Sequence, residues 1–262
     1  MSLNSKLVKA VLDDDAYSCS AQIKAGADPN CKVDENWRRM FCEMTCLQYA
    51  ISRNRLKAAE ALIENGADLF AYGSFNYHIG PYPLFAICAN EKANHLLRLV
   101  INKGCDIQKT YEYHSGAYRS RSGVIYGSSD TTYSAMKAAI LSLNIAAIDI
   151  LLSHKYVCSD EEIRELIING NERQSFTAMQ GKAIPLKFLL WAIESKKEKL
   201  VEMIILHSPH LAKEEKALDE AVSEDLVNII RILIKNGANG ASIGWLRRKF
   251  QKQEILDALD GK

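Results

Sequence analysis

Cysteine and histidine are the residues best able to do chemistry in this 262-residue chain, and their spacing argues against most of it. Cys42-x-x-x-Cys46, with Cys31 nearby, could begin a thiolate metal site. Structural zinc sites space their thiolates as Cys-x-x-Cys pairs, and no His stands close in sequence, so buried helix thiols are the better reading. A Cys nucleophile served by His78, His95 or His114 would need the two to meet in space, and no motif announces such a pair. Gly123-x-x-x-Gly127 lacks the Lys-Ser/Thr that follows a phosphate-cradling loop. Arg247-Arg248-Lys249-Phe250-Gln251-Lys252 could hold phosphates or an import receptor, but reads better as the solvated face of a capping helix whose apolar side is Trp245, Leu246 and Phe250. Ser120 and Ser122 follow Arg119 and Arg121, a basic context open to kinases. No catalytic residue, cofactor or metal is expected.

Recognition chemistry is better represented. Residues 110–133 hold Tyr111, Tyr113, Tyr118, Tyr126 and Tyr133, with His114, Arg119 and Arg121 among small residues such as Gly116, Ser120 and Gly127. Tyr and Arg dominate interface energetics, and Ser with Gly supplies adaptable backbone. The alternative is an extended hairpin whose tyrosines pack on one another and on the body of the protein. Two smaller clusters echo the first: Trp37-Arg38-Arg39-Met40-Phe41, and Tyr72, Phe75, Tyr77 and His78. For these, the alternative is that Trp37 and Phe75 cover helix ends.

The elements that would position these clusters follow from a recurring unit. Gly26-Ala27-Asp28-Pro29-Asn30 returns as Gly66-Ala67-Asp68-Leu69, Gly104-Cys105-Asp106-Ile107 and Gly237-Ala238-Asn239, each after an aliphatic run. Glycine at such a position accepts the left-handed conformation that ends a helix. Apolar residues at i, i+3 and i+4, as in Leu226, Ile229, Ile230 and Leu233, form a stripe that must be buried. One helix pair cannot bury its own stripe, so neighbouring pairs must stack.

The strongest unit runs Thr45-Cys46-Leu47-Gln48-Tyr49-Ala50 to Gly66-Ala67-Asp68. It resembles the ankyrin repeat, whose first helix opens T-P-L-H-x-A. The same frame fits units near 5–30, 82–108, 134–157, 187–210 and 216–240, with a C-terminal cap at 242–260. Lys155 and Ser208 stand where two units would place glycine, and no unit keeps the His. The resemblance implies an all-α ankyrin-repeat solenoid of six to seven helix-turn-helix units with extended finger loops, in one domain spanning 1–262. Insertions are expected at 109–133 and 158–186. In the second, Ser159-Asp160-Glu161-Glu162 signals a capped extra helix ending near Asn169-Gly170-Asn171, followed by a polar loop over 171–181.

The balance of 33 basic to 32 acidic residues leaves a net charge of +1 and no global field for nucleic acid or an anionic membrane. The start of the chain lacks the apolar core of a secretory signal, and seven scattered cysteines fit a reduced compartment. A cytoplasmic protein is expected, in its own cell or a host's, monomeric when unbound. The ankyrin resemblance implies a non-enzymatic module that binds a partner protein through its fingers and concave first helices. Degenerate repeats with long insertions also suit a host-directed bacterial or viral effector. The competing functions are an enzyme or modifier with its site in the insertions, and a structural subunit of a stable complex. The residues expected at a binding surface are Trp37, Arg38, Arg39, Phe75, Tyr77, His78, Tyr111, Tyr113, Tyr118, Arg119, Arg121 and Tyr126.

Overall fold

A computed structural model describes residues 1–33, 44–73, 81–115, 118–119, 125–126, 129–240 and 253–261. The chain divides into two compact units, Met1–Tyr156 and Val157–Lys262.

Four helix pairs build the first unit: α1 (Leu3–Leu12) with α2 (Ala16–Lys24), α3 (Cys46–Ser52) with α4 (Leu56–Glu64), α5 (Pro83–Ala89) with α6 (Asn94–Asn102), and α7 (Ala135–Leu141) with α8 (Ile145–Ser153). The first helices stack in the order α1, α3, α5, α7, while α2 packs on α4 and α6 on α8. Leu7, Leu47, Phe85 and Met136 fill the layer between them. Two-residue strands β1 (Lys32–Val33) and β2 (Met44–Thr45) pair antiparallel at the root of the first finger. The described part of the long third finger forms two antiparallel strand pairs. Its strand β3 (Tyr111–Ser115) pairs with β6 (Ser129–Tyr133), and β4 (Tyr118–Arg119) with β5 (Ile125–Tyr126).

The second unit repeats the plan with α9 (Asp160–Asn169) and α10 (Glu172–Met179), α11 (Leu186–Glu194) and α12 (Glu198–His207), and α13 (Glu215–Ser223) and α14 (Val227–Lys235). A final helix, α15 (Gln253–Leu259), packs on α14. The helix expected after Ser159 is α9, closed by a reciprocal capping box between Ser159 and Glu162. The loop expected over 171–181 is instead the helix α10. Asn171 caps it by accepting from Gln174 N at 2.9 Å, and the Ser175 hydroxyl donates to Leu166 O at 2.9 Å. A polar segment can therefore be buried, because its polar atoms find partners in α9. With α9 on α11 and α10 on α12, this stretch stacks like the repeats around it.

Most helices end by one device, α5 and α9 being exceptions. Gly26, Gly66, Gly104 and Gly237 have φ between 79° and 105°, and the residue after each bonds back to the helix, as Ala67 N does to Leu62 O at 2.9 Å. Lys155 fills the glycine position with φ 61° and closes the same way, through Tyr156 N to Leu151 O. Ser208 departs from it. Its φ is −136°, since Pro209 disfavours helical backbone before it, and a 3-10 turn over Pro209–Lys213 follows. First helices end at Asp14, Asn54, Leu143, Lys196 and Asp225, all left-handed without being glycine. The residue after each donates to a buried alanine carbonyl: Ala10, Ala50, Ala139, Ala192 or Ala221.

Left-handed backbone costs a side chain about 1–2 kcal/mol, partly offset by the entropy that glycine loses. Lys155 is exposed and its side chain is dispensable to the turn. Lys155→Gly should therefore stabilise the protein by about 0.5–1 kcal/mol, read as a higher denaturation midpoint at unchanged slope. An unchanged or lowered midpoint would show that the lysine is not strained there.

Candidate functional site

The finger bases are set by the aspartate of the recurring unit. Asp28, Asp68 and Asp106 each accept from the backbone N–H two residues on, at Asn30, Phe70 and Gln108, which turns the chain out of the helix. Side-chain amides hold these turns in place. Asn4 Oδ1 accepts from Asp28 N and Asn30 Oδ1 from Asp68 N, at 2.9 and 2.8 Å. At the position where ankyrin repeats carry His, Gln48 completes a capping box with Thr45 and donates through Nε2 to Pro81 O of the next finger. A Cβ on Gly73 would sit 1.6 Å from Gln48 Oε1, so a side chain there would have to displace this amide.

This framework brings aromatic residues of two fingers together in the first unit. Tyr82, at the cap of α5, packs edge-on against Phe70 at 5.6 Å and Tyr111 at 5.5 Å between ring centres, and against Phe85 at 5.2 Å. Tyr111 also meets Tyr72 at 6.1 Å and its register partner Tyr133 at 6.3 Å. Lys109 Nζ lies 4.1 Å from the Phe70 ring centre and 5.8 Å from that of Tyr82, within cation–π range. Phe85 and Tyr133 are buried, Phe70, Tyr82 and Tyr111 half-buried, and Tyr72 is 55% exposed. The rings thus step from core to surface. Desolvation, with a hydrogen bond to Tyr72, raises the Tyr111 pKa and keeps its hydroxyl neutral.

Of the expected binding residues, Tyr111 belongs to this cluster, and half-buried Tyr113 stands in register with Thr131. Tyr118 pairs with Tyr126 and Arg119 with Ile125 along β4 and β5. Trp37, Arg38, Arg39, Phe75, Tyr77, His78 and Arg121 lie outside the described residues. So do Cys42, Ser120, Ser122, Gly123, Gly127 and the basic run 247–252. Phe70, Tyr82 and Lys109 were missed, since they join the cluster only when adjacent fingers stack. A second aromatic group in the other unit was also missed. There Trp191 packs on Phe188 at 5.5 Å, with Arg164 and Lys187 within 6 Å of its ring and Lys187 paired to Asp160. The i, i+3 spacing of Phe188 and Trp191 was the available signal.

Residues 42–73 match the family model of the ankyrin repeat. They cover α3, α4 and the closing Gly66 turn, the geometry that recurs along the chain. The chain contains an ankyrin repeat. It is also similar to a solved structure, the human ASB11 ankyrin repeat domain, at 16% identity over 89% of this chain and 84% of that one, with a TM-score of 0.39. A comparison with curated proteins yields no match. Ankyrin repeats are generally protein-binding modules, a family typically without enzymatic activity. Among the described residues, no group of three His, Cys, Asp or Glu could hold a metal, and no helix is long and apolar enough to cross a membrane.

Proposed function

We propose that this protein binds a partner protein along the finger edge of its first unit. The cluster of Phe70, Tyr72, Tyr82, Lys109 and Tyr111 carries the reading. Its inner rings are anchored in the core while Tyr72 and Lys109 remain exposed. A preorganised aromatic with an adjacent cation is the composition that concentrates binding energy, since little side-chain freedom is lost on contact. Tyr113, Tyr118, Arg119, Arg121 and Tyr126, with Trp37, Arg38, Arg39, Phe75, Tyr77 and His78, are proposed as further contributors on the strength of their residue types and their place in the sequence. Binding is non-enzymatic, takes place in the cytoplasm and engages protein rather than nucleic acid or membrane. A host-directed effector would use the same edge.

The test compares affinity with stability. Truncating an interface anchor costs about 2 kcal/mol, a roughly thirtyfold loss of affinity, whereas an exposed substitution shifts stability by less than about 0.5 kcal/mol. Against its purified partner, Tyr72→Ala should weaken binding by that factor at an unchanged melting temperature. The combined Tyr118, Arg119 and Arg121 alanine variant should do the same. Tyr111→Ala should lower both quantities, because its ring also packs on Tyr82 and Tyr133. Undiminished affinity in the Tyr72 and triple variants would place the binding surface elsewhere.

A further inference from the structure

The root of the first finger holds a thiol pair that partner binding does not use. The register of β1 and β2 sets Lys32 opposite Thr45 and Val33 opposite Met44, and its next step sets Cys31 opposite Cys46. Cys46 N, at the start of α3, donates to Cys31 O at 2.9 Å, which holds the two backbones against each other at this step. Opposed residues of an antiparallel pair have Cα atoms about 4.5–5.5 Å apart, inside the window of about 4.4–6.8 Å that a disulfide spans. Both thiols are free, and their sulfurs are already in hydrogen-bond contact at 3.3 Å. We infer that Cys31 and Cys46 are a redox modification site, closing a reversible disulfide when the protein meets a hydroperoxide.

The two thiols are suited to different steps. Cys31 keeps 8% of its surface exposed and Cys46 none, so a small oxidant meets Cys31 first. The hydrogen bond from Cys46 lowers the Cys31 pKa, and the same bond with burial raises that of Cys46. Cys31 is accordingly the thiolate nucleophile. Its sulfur attacks hydrogen peroxide: the S–O bond forms, the O–O bond breaks, and the leaving hydroxide takes up the Cys31 proton as water. Cys46 then loses its proton and attacks the Cys31 sulfenic acid. The S–S bond forms, the S–O bond breaks, and hydroxide leaves with that proton as a second water. Two thiols are oxidised and one peroxide is reduced. The other described thiols are less suited: burial raises Cys19 and Cys105 to about 11, Cys158 to about 12 and Cys88 further still.

The experiment exposes the reduced full-length chain to hydrogen peroxide, alkylates it without reduction and maps it by mass spectrometry. The expected product is a peptide linking Cys31 to Cys46, formed at least ~10-fold faster than Cys88 or Cys158 is oxidised and reversed by dithiothreitol. Cys46→Ser should leave Cys31 as a sulfenic acid that dimedone traps, and Cys31→Ser should leave the Cys46 thiol intact. Should either variant fold poorly, the unmodified chain supplies its own readout with phenylarsine oxide, which bridges adjacent thiols. One arsenical should bind at this pair and none after peroxide. A linkage through Cys42 instead, oxidation no faster than at Cys88, or no arsenical uptake at the pair overturns the proposal.

Discussion

Ala221→Asp should unfold much of the second unit's helical stack. Ala221 is fully buried in α13, where that helix packs against α11 and α14. Its carbonyl also receives Leu226 N at 2.9 Å, the bond that closes the turn into α14. With no surface exposed, the methyl group has no solvent-filled space beside it. A carboxylate placed there loses its water and gains no partner, at a cost of about 3–5 kcal/mol. Hydrogen exchange in α11, α13 and α14 should accelerate, and helical ellipticity should fall. Ala221→Asn separates charge from bulk, since it is nearly the same size but neutral. The aspartate variant should be the weaker of the two at pH 7. Desolvation raises a carboxyl pKa in the folded state above its unfolded value near ~4. The destabilisation from charge is thus fully present above the raised value and fades as pH falls toward ~4. A melting curve matching the parent's would mean that position 221 does not face the stack.

Asn144→Ala should lower the stability of the first unit by about 3 kcal/mol. The side chain is 1% exposed, and one amide serves three elements. Its oxygen accepts from Ala147 N at 3.2 Å, capping α8, and from Asn94 Nδ2 at 3.2 Å, at the start of α6. Its nitrogen donates to Cys88 O near the end of α5 at 2.9 Å and to Asn94 Oδ1 at 3.0 Å. Loss of the cap costs about 1 kcal/mol, and a buried polar group stripped of its partner adds about 1–3 kcal/mol. The expected fall in melting temperature is roughly 6–12 °C. Asn144→Ser keeps a capping oxygen but cannot reach Cys88, so it should recover only the cap's share. Full recovery by serine would show that the bridge to α5 contributes nothing.

Legibility followed how far each feature depends on a single residue type. Glycine is the residue for a left-handed helix end, so Gly26, Gly66, Gly104 and Gly237 marked the repeat frame directly. Leu143 and Lys196 adopt nearly the same backbone, but nothing in a leucine or a lysine announces it. The helix α10 was hidden by its composition. Glu172, Arg173, Gln174 and Ser175 read as loop, although Asn171 three residues before Gln174 was an available cap signal. The aromatic site was half legible. The tyrosine-rich stretch stood out, but Tyr82 was read only as the start of a helix, and its meeting with Phe70 and Tyr111 depends on two fingers lying side by side. Cys31 and Cys46 were noticed in combination with Cys42, as a fragment of a metal site, because strand register at a two-residue ladder has almost no sequence signature.

The amide and carboxylate bridges of the first unit also bear on how it assembles. Asp14 to Ala58, Asn30 to Asp68, Asn54 to Asn90 and Cys88 to Asn144 join each layer to the one that follows, across 36 to 56 residues. The chain never has to close a distant loop before it is rewarded with a contact, so the search is short and its relative contact order low. Such an array can nucleate at any well-formed layer and grow outward by adding neighbours, the kinetics of a zipper. Unfolding runs the same route backwards.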